Sequence, residues 1–164
     1  MSNITLANAE TLGRQLGLRG WKLAVAESCT GGGIAHAVTD ISGSSAWFDR
    51  GFVTYSNQSK IDMLGVKVQT LESFGAVSKQ TALEMAAGTL MHSQADLALA
   101  VTGIAGPTGG SAHNPVGTVF VAWIVKNFTA ECTHLRLSGN RQEIRQQAID
   151  YCLEKALALS RHPQ

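Results

Sequence analysis

The stretch WKLAVAESCTGGGIAHAVT, residues 21–39, indicates the class of fold. Its first part, residues 21–27, is an apolar run typical of a buried β-strand. Residues 28–33 have the composition of a tight turn, and residues 33–39 return to the apolar spacing of a helix. A strand that passes through a glycine turn into a helix is the building unit of α/β proteins, so this stretch predicts an α/β fold.

Helical and strand-like patterns alternate on both sides of this stretch. Helices are predicted for residues 4–18, for a turn that Asn57 caps and that contains Lys60, for residues 81–92 with Ser78 as the cap, and for residues 139–160. Strands are predicted for residues 51–55 and 97–102, and a hairpin for residues 117–125 and 131–137. This order predicts a three-layer α/β/α sandwich with a mixed, mostly parallel sheet of about five strands, formed by residues 1–164 as a single domain.

Composition and charge exclude several classes of function. Thirteen basic and twelve acidic side chains give a formal net charge of +1, and the basic residues are scattered, so no nucleic-acid partner is expected. No apolar run approaches the roughly 18 residues that cross a membrane, and no signal peptide is apparent at the N-terminus. The chain is therefore expected in the cytoplasm, with no membrane partner.

Cysteine and histidine usage indicates reduced thiols and no metal. The three cysteines, Cys29, Cys132 and Cys152, have no C-x-x-C spacing, and an odd number without a signal sequence fits a reducing compartment. The five histidines are isolated from one another and from acidic clusters, so no metal site is expected.

Three polar clusters follow predicted strands, where open α/β sheets bind ligands. The first is the glycine turn that begins at Ser28. Glycines there allow close approach of a ligand to the backbone, and a helix N-terminus suits a phosphate or an oxyanion. The alternative is a plain strand-to-helix turn in which Ser28 and Thr30 cap the helix. The turn matches neither the dinucleotide fingerprint nor the Walker pattern, so an ATP or dinucleotide site is poorly supported.

The second and third clusters supply a candidate base and a candidate anion site. A serine nucleophile needs a base, and Lys60 serves if burial lowers its pKa, with Tyr55 relaying or orienting a proton. The alternative is a solvated Lys60 and a core Tyr55. The third cluster, residues 103–115, is rich in glycine and forms either an anion-binding nest or a mobile surface loop. Arg141, beyond it, either clamps a phosphate or pairs with Glu143.

Taken together, the motifs carry a resemblance. The sequence closely resembles the CinA C-terminal domain family over nearly the whole chain, in the motifs AESCTGG at 26–32, GSSAWF at 43–48, GxVTYSNxxK at 51–60, GAVS at 75–78, TGIAGPxGG at 102–110 and PVGTV at 115–119. The family name refers to competence and DNA damage, but these residues show no direct contact with DNA. Longer members carry an additional N-terminal domain, and the resemblance implies a stand-alone form.

The resemblance implies a nicotinamide mononucleotide deamidase, which forms nicotinate mononucleotide and ammonia in pyridine nucleotide salvage towards NAD. It implies that Ser28 is the nucleophile, that Lys60 is the base and that Tyr55 assists. Ser45 and Thr102 are implied to shape the site, and Arg141 to contact the substrate at its phosphate. The resemblance also implies a homo-oligomer. Acyl-transfer chemistry requires no cofactor or metal, and it needs oxyanion donors, for which we expect N–H groups near Thr30, Gly31 and Gly32 or at Gly103.

Two alternatives remain open from the sequence. The thiol of Cys29, next to Ser28, is intrinsically more nucleophilic and would make the protein a thiol amidase, although no histidine partner is evident. A non-catalytic module that binds a nucleotide through the same glycine-rich loops would explain the glycines, but it leaves Tyr55 and Lys60 without a role.

Overall fold

A computed structural model of the chain describes residues 1–162. The elements in chain order are α1 (Asn3–Arg19), β1 (Leu23–Glu27), α2 (Gly33–Thr39), a 3₁₀ turn (Ser44–Ala46), β2 (Phe48–Val53), α3 (Asn57–Leu64), α4 (Val68–Phe74), α5 (Lys79–Met91), β3 (Leu97–Gly103), β4 (Thr118–Val125), β5 (Glu131–Arg136) and α6 (Arg141–Arg161). Over these residues, every helix is too short or too polar to cross a membrane.

The five strands form one mixed sheet in the order β2-β1-β3-β4-β5. β1 pairs in parallel with β2 and with β3, whereas β4 runs antiparallel to both β3 and β5. Helices α1, α2 and α6 pack on one face of the sheet, and α3, α4 and α5 pack on the other. The predicted α/β/α sandwich with a mostly parallel sheet is confirmed.

Alternate residues of β1 pack into two apolar clusters, one on each face of the sheet. Leu23 and Val25 belong to the larger apolar cluster with α1, α2 and α6, while Ala26 faces the smaller cluster with Leu64 and Met85. Side chains of a strand point to opposite faces in turn, so a strand covered on both sides reads as a continuous apolar run. This is why residues 21–27 lacked the polar alternation of a half-exposed strand.

Two local predictions around β2 and α3 were wrong, and one helix was missed. β2 ends at Val53 rather than at Tyr55, because its pairing with β1 ends opposite Glu27. Ser56, not Asn57, is the N-cap of α3: its hydroxyl accepts the Ser59 N–H at 3.1 Å, and the Ser59 hydroxyl accepts the Ser56 N–H in return. Helix α4 was not predicted, and its cap residue offers no side-chain hydrogen bond that would have signalled it.

The parallel strands bring distant motifs to one edge of the sheet. Ser28 directly follows β1, Tyr55 lies two residues after β2, and Gly103 ends β3. Ser45, in contrast, precedes β2 and lies near the amino ends of the same strands. Ser28, Tyr55 and Gly103 can therefore meet, while Ser45 lies at the opposite edge.

A close helix contact positions α3. The last residue of α3, Leu64, presents its backbone to Gly88 of α5, where a Cβ would lie 2.0 Å from the Leu64 carbonyl oxygen. Only glycine allows this approach. Since α3 carries Lys60, the contact between α3 and α5 also determines how deeply Lys60 is inserted.

We expect Gly88→Ala to lower the free energy of unfolding by about 1–3 kcal/mol, because the added methyl group overpacks a backbone contact. The matched control is Gly17→Ala in α1, where a Cβ meets nothing within 4 Å. That change should raise the free energy of unfolding by about 0.5–1 kcal/mol through the helix propensity of alanine. Urea unfolding of both variants measures the difference, and equal stabilities would contradict the close contact.

Candidate active site

A cavity of about 190 Å³ lies at the carboxyl ends of β1, β2 and β3. Six of the residues predicted for the site line it: Ser28, Tyr55, Lys60, Thr102, Gly103 and Arg141. Cys29, Ala76, Val77 and Ala105 complete the lining. The structure thus brings together side chains from the second and third polar clusters, the first residues of the glycine turn and the start of α6.

A serine and a lysine face each other inside this cavity. The Nζ atom of Lys60 lies 3.1 Å from the Ser28 Oγ atom, and it donates a hydrogen bond of 2.8 Å to the carbonyl oxygen of Thr54. Lys60 is 1% exposed and Ser28 is 8% exposed. The N–H of Ser28 donates to the Val101 carbonyl at 3.0 Å, which ties the start of the turn to β3.

Burial lowers the pKa of Lys60 below its ordinary value of 10.5. Both of its hydrogen-bond partners are uncharged, and within residues 1–162 no carboxylate lies within ion-pair distance of its amine. A neutral amine keeps a lone pair, which can accept the hydroxyl proton of Ser28. The geometry therefore provides a nucleophile with an adjacent base.

Tyr55 and Arg141 meet at the mouth of the cavity. Tyr55 is 62% exposed, so it is not the core aromatic residue that one alternative predicted. Arg141 donates from Nη2 to the Tyr55 hydroxyl at 3.1 Å and from Nη1 to the Gly106 carbonyl at 2.8 Å. Glu143 does not pair with Arg141, because its carboxylate accepts the N–H of Asn140 at the N-cap of α6.

Thr102, which the resemblance implied, and Asn114, which sequence reasoning missed, hold the far wall. The Thr102 hydroxyl donates to the Ala76 carbonyl at 2.8 Å, and the Asn114 side chain donates to the Val77 carbonyl at 3.0 Å. Asn114 thereby attaches the glycine-rich loop to the segment before α5. The motif GAVS at residues 75–78 was the available signal for Ala76 and Val77, but its place on the cavity wall depends on the fold.

A carboxylate of the protein occupies the helix end of the glycine turn. The buried carboxylate of Glu27 accepts the Thr30 hydroxyl at 2.6 Å and the N–H groups of Ile34 and Ala35 at 3.0 and 2.8 Å. A second anion at the N-terminus of α2 would be repelled by it. An oxyanion at the start of the turn, next to Ser28, stays a prediction.

Other predicted binding residues also lie away from the cavity. Thr30, Gly31 and Gly32 form the turn behind it, and the two glycines have φ angles of 57° and 95°, which favour glycine. Ser45 is exposed at the opposite edge of the sheet. Within this chain, these four residues shape the loops rather than the cavity wall.

Arg145 is a further residue that sequence reasoning missed. It lies one helical turn after Arg141 and donates from Nε to the Cys29 carbonyl at 3.1 Å and from Nη2 to the Thr30 carbonyl at 3.0 Å. The guanidinium group thus holds the turn that begins at Ser28. Only the spacing of four residues from Arg141 could have suggested it.

A second cavity of about 640 Å³ adjoins the first. It shares Ala105 and Arg141 with the smaller cavity, and Pro107 and Val116 give it an apolar wall. Neither cavity is lined by histidine, aspartate or glutamate. No group of three or more potential metal ligands occurs in the part of the chain that the structure describes.

Comparisons with known proteins agree with the geometry. The chain is 53% identical over 146 residues to the nicotinamide-nucleotide amidohydrolase PncC of Enterobacter agglomerans, with 89% of each chain covered. It is 48% identical to the protein of the same name from Escherichia coli K12, with 89% of this chain and 88% of that protein covered. The crystal structure of the competence/damage inducible protein CihA from Agrobacterium tumefaciens superposes with a TM-score of 0.95 at 48% identity and covers 97% of both chains. Because the family model described as "CinA C-terminal domain" also matches residues 6–159, the chain belongs to the CinA C-terminal domain family.

Proposed function

We propose that this protein is an amidohydrolase that converts nicotinamide mononucleotide into nicotinate mononucleotide and ammonia. Relatives at 53% and 48% identity are named nicotinamide-nucleotide amidohydrolases, which supports this substrate. The observation that carries the chemistry is the buried amine of Lys60, 3.1 Å from the Ser28 hydroxyl. A serine beside a desolvated amine has the parts that acyl transfer from an amide requires.

The proposed reaction has two halves. Ser28 Oγ attacks the carboxamide carbon while Lys60 takes the hydroxyl proton. The tetrahedral intermediate then expels ammonia, which receives that proton from Lys60, and leaves an ester on Ser28. In the second half, Lys60 takes a proton from water, the hydroxide attacks the ester, and that proton returns to Ser28 as the carboxylic acid leaves. The acid then gives its own proton to solvent, and nicotinate mononucleotide is released as the carboxylate.

Backbone N–H groups are the proposed oxyanion donors. Cys29 and Gly103 both line the cavity, so their N–H groups are the candidates near the reacting carbon. The N–H groups of Gly31 and Gly33 already donate to the carbonyls of Ser28 and Thr30. We therefore place the oxyanion next to Cys29 or Gly103 rather than further along the glycine turn.

The two cavities fit different parts of the substrate. Pockets for small-molecule ligands typically measure about 300–1,000 Å³, and the cavity at Ser28 has only about 190 Å³. We propose that it holds the ring and its carboxamide, and that the ribosyl phosphate extends past Arg141 into the adjoining cavity. Arg141 has five N–H donors and uses two of them on Tyr55 and Gly106, which leaves donors for the phosphate.

The two alternatives fit the structure less well. Burial raises the pKa of the Cys29 thiol to about 11, and no histidine lines the cavity to deprotonate it. A module that only binds a nucleotide has no use for a buried lysine, and desolvating an amine without an anionic partner costs several kcal/mol or lowers its pKa. Catalysis by Ser28 gives this costly arrangement a purpose.

We expect the protein to release ammonia from nicotinamide mononucleotide and to process nicotinamide riboside far more slowly, because Arg141 then lacks a phosphate to bind. A coupled ammonia assay gives kcat/KM for both compounds. Ser28→Ala should lower kcat by several orders of magnitude without changing the circular dichroism spectrum. The absence of ammonia release by a folded wild-type protein would reject the proposed activity.

We expect kcat/KM to rise with pH along one ionisation and to level off above the pKa of Lys60. Burial depresses this pKa, so the plateau begins below the value of 10.5 of an ordinary lysine. Below the pKa the amine is protonated and cannot accept the Ser28 proton. Lys60→Arg should be nearly inactive at every pH, because guanidinium keeps its proton.

The matched control for Lys60→Arg is Lys67→Arg. Lys67 is exposed and does not line the cavity, so this variant should keep wild-type activity and the wild-type pH profile. Substantial turnover by Lys60→Arg would exclude Lys60 as the base.

We expect Cys29→Ala to retain kcat within about one order of magnitude, since the thiol takes no part in the proposed chemistry. In the wild type, iodoacetamide should modify Cys29 slowly at pH 8, with a rate that rises about tenfold per pH unit towards a pKa of about 11. Peptide mass spectrometry follows the modification. Loss of activity in Cys29→Ala comparable to the loss in Ser28→Ala would support the thiol mechanism instead.

A further inference from the structure

The cavity at Ser28 carries positive charge and no acid. Lys60 and Arg141 are its basic residues, and none of its lining residues is an aspartate or a glutamate. The segment before α5 contributes only Ala76 and Val77 to the wall. The hydroxyl of Tyr55 and the thiol of Cys29 also line the cavity. Burial raises the pKa of the Cys29 thiol to about 11, so this thiol is protonated at neutral pH.

Two charged side chains behind the cavity wall, Glu27 and Arg145, already have hydrogen-bond partners elsewhere. Both carboxylate oxygens of Glu27 accept hydrogen bonds from the start of α2. Arg145 donates to the carbonyls of Cys29 and Thr30. Neither group is a hydrogen-bond or ion-pair partner of Lys60. Within residues 1–162, no acidic side chain on the turn after β1 or at the start of α6 therefore balances a positive charge on the Lys60 amine.

A carboxylate bound at Ser28 would supply the missing countercharge. The carbon that Ser28 attacks has to lie at bonding distance from Oγ, and Lys60 Nζ lies 3.1 Å from the same Oγ atom. After hydrolysis, the carboxylate oxygens occupy this space next to the amine. At short range and low dielectric, an anion strongly favours the charged form of a neighbouring amine, whereas a neutral carboxamide has no such effect.

We propose that this cavity is a proton-coupled binding site for aromatic carboxylates, in which a pyridine-3-carboxylate binds together with a proton that Lys60 takes up. The identity of this ligand rests on the proposed function, since nicotinate mononucleotide is the product of the proposed reaction. Bound product holds Lys60 in its charged form and also blocks Ser28. The product therefore inhibits more strongly as the pH falls, and it dissociates more easily as the pH rises.

Because carboxylate binding is coupled to protonation of Lys60, its affinity changes with pH in a defined direction. Where free Lys60 is neutral and carboxylate-bound Lys60 is charged, each increase of one pH unit weakens carboxylate binding by about tenfold. The carboxamide substrate binds without proton uptake, so its affinity does not follow this dependence. The difference between the two ligands isolates the effect of the carboxylate, because both carry the same ribosyl phosphate.

The experiment uses Ser28→Ala, which retains Lys60 and does not consume the amide. Calorimetric titration with nicotinate mononucleotide at pH 8, in Hepes and in Tris, measures proton uptake from the difference between the two heats of binding. Repeating the titration at higher pH, we expect proton uptake for nicotinate mononucleotide that rises towards one proton where free Lys60 is neutral, and close to none at any pH for nicotinamide mononucleotide. The double variant Ser28→Ala/Lys60→Met should bind the carboxylate without uptake.

The outcomes separate this proposal from the proposed function. Carboxylate binding without proton uptake, equal uptake for both ligands, or no detectable carboxylate binding would overturn the proton-coupled site, even if the wild type releases ammonia. Proton uptake that depends on Lys60 would support the site, even if the wild type releases no ammonia and the proposed function fails.

Discussion

The burial of one amine without an anionic partner is the constraint on which the site depends. Lys60 is 1% exposed, and within residues 1–162 its amine hydrogen-bonds only with the hydroxyl of Ser28 and the carbonyl of Thr54. Burial makes a charged amine costly in such a place and lowers the pKa of Lys60. The fold provides for this insertion: a capping box at Ser56 starts α3 directly after β2, and Gly88 lets the end of α3 pack against the backbone of α5.

The charged side chains next to the turn that begins at Ser28 point away from the Lys60 amine. Glu27 directs its carboxylate to the start of α2, and Arg145 directs its guanidinium to the carbonyls of Cys29 and Thr30. Both groups hold the turn that carries Ser28, but neither reaches into the cavity. An acid placed next to Lys60 would hold its proton and remove the base. The hydrogen bonds of Glu27 and Arg145 thus fix the turn, and they also keep the Glu27 carboxylate away from Lys60, which favours the neutral amine.

The sequence pattern predicted the central strands, which depend on local apolar runs. It did not predict the contacts that depend on how helices pack against the rest of the fold. The apolar runs at 21–27 and 97–102 gave the central strands because both faces of the sheet are covered. The two interpretations of Lys60, solvated or buried, could not be separated, since burial is set by how α3 packs. Helix capping by Glu27 was missed because the residue ends a strand, and the role of Arg145 requires α6 to dock on a turn more than a hundred residues away.

The geometry also separates chemistry from recognition. The groups proposed to react lie directly after β1 and on α3, inside a cavity too small for a whole mononucleotide. The adjoining cavity is built from the glycine-rich loop and the first residues of α6. Arg141 stands between them and connects Tyr55 with the loop carbonyl of Gly106. Arg141 lines both cavities, so the residue proposed to bind the phosphate also borders the cavity that holds Ser28.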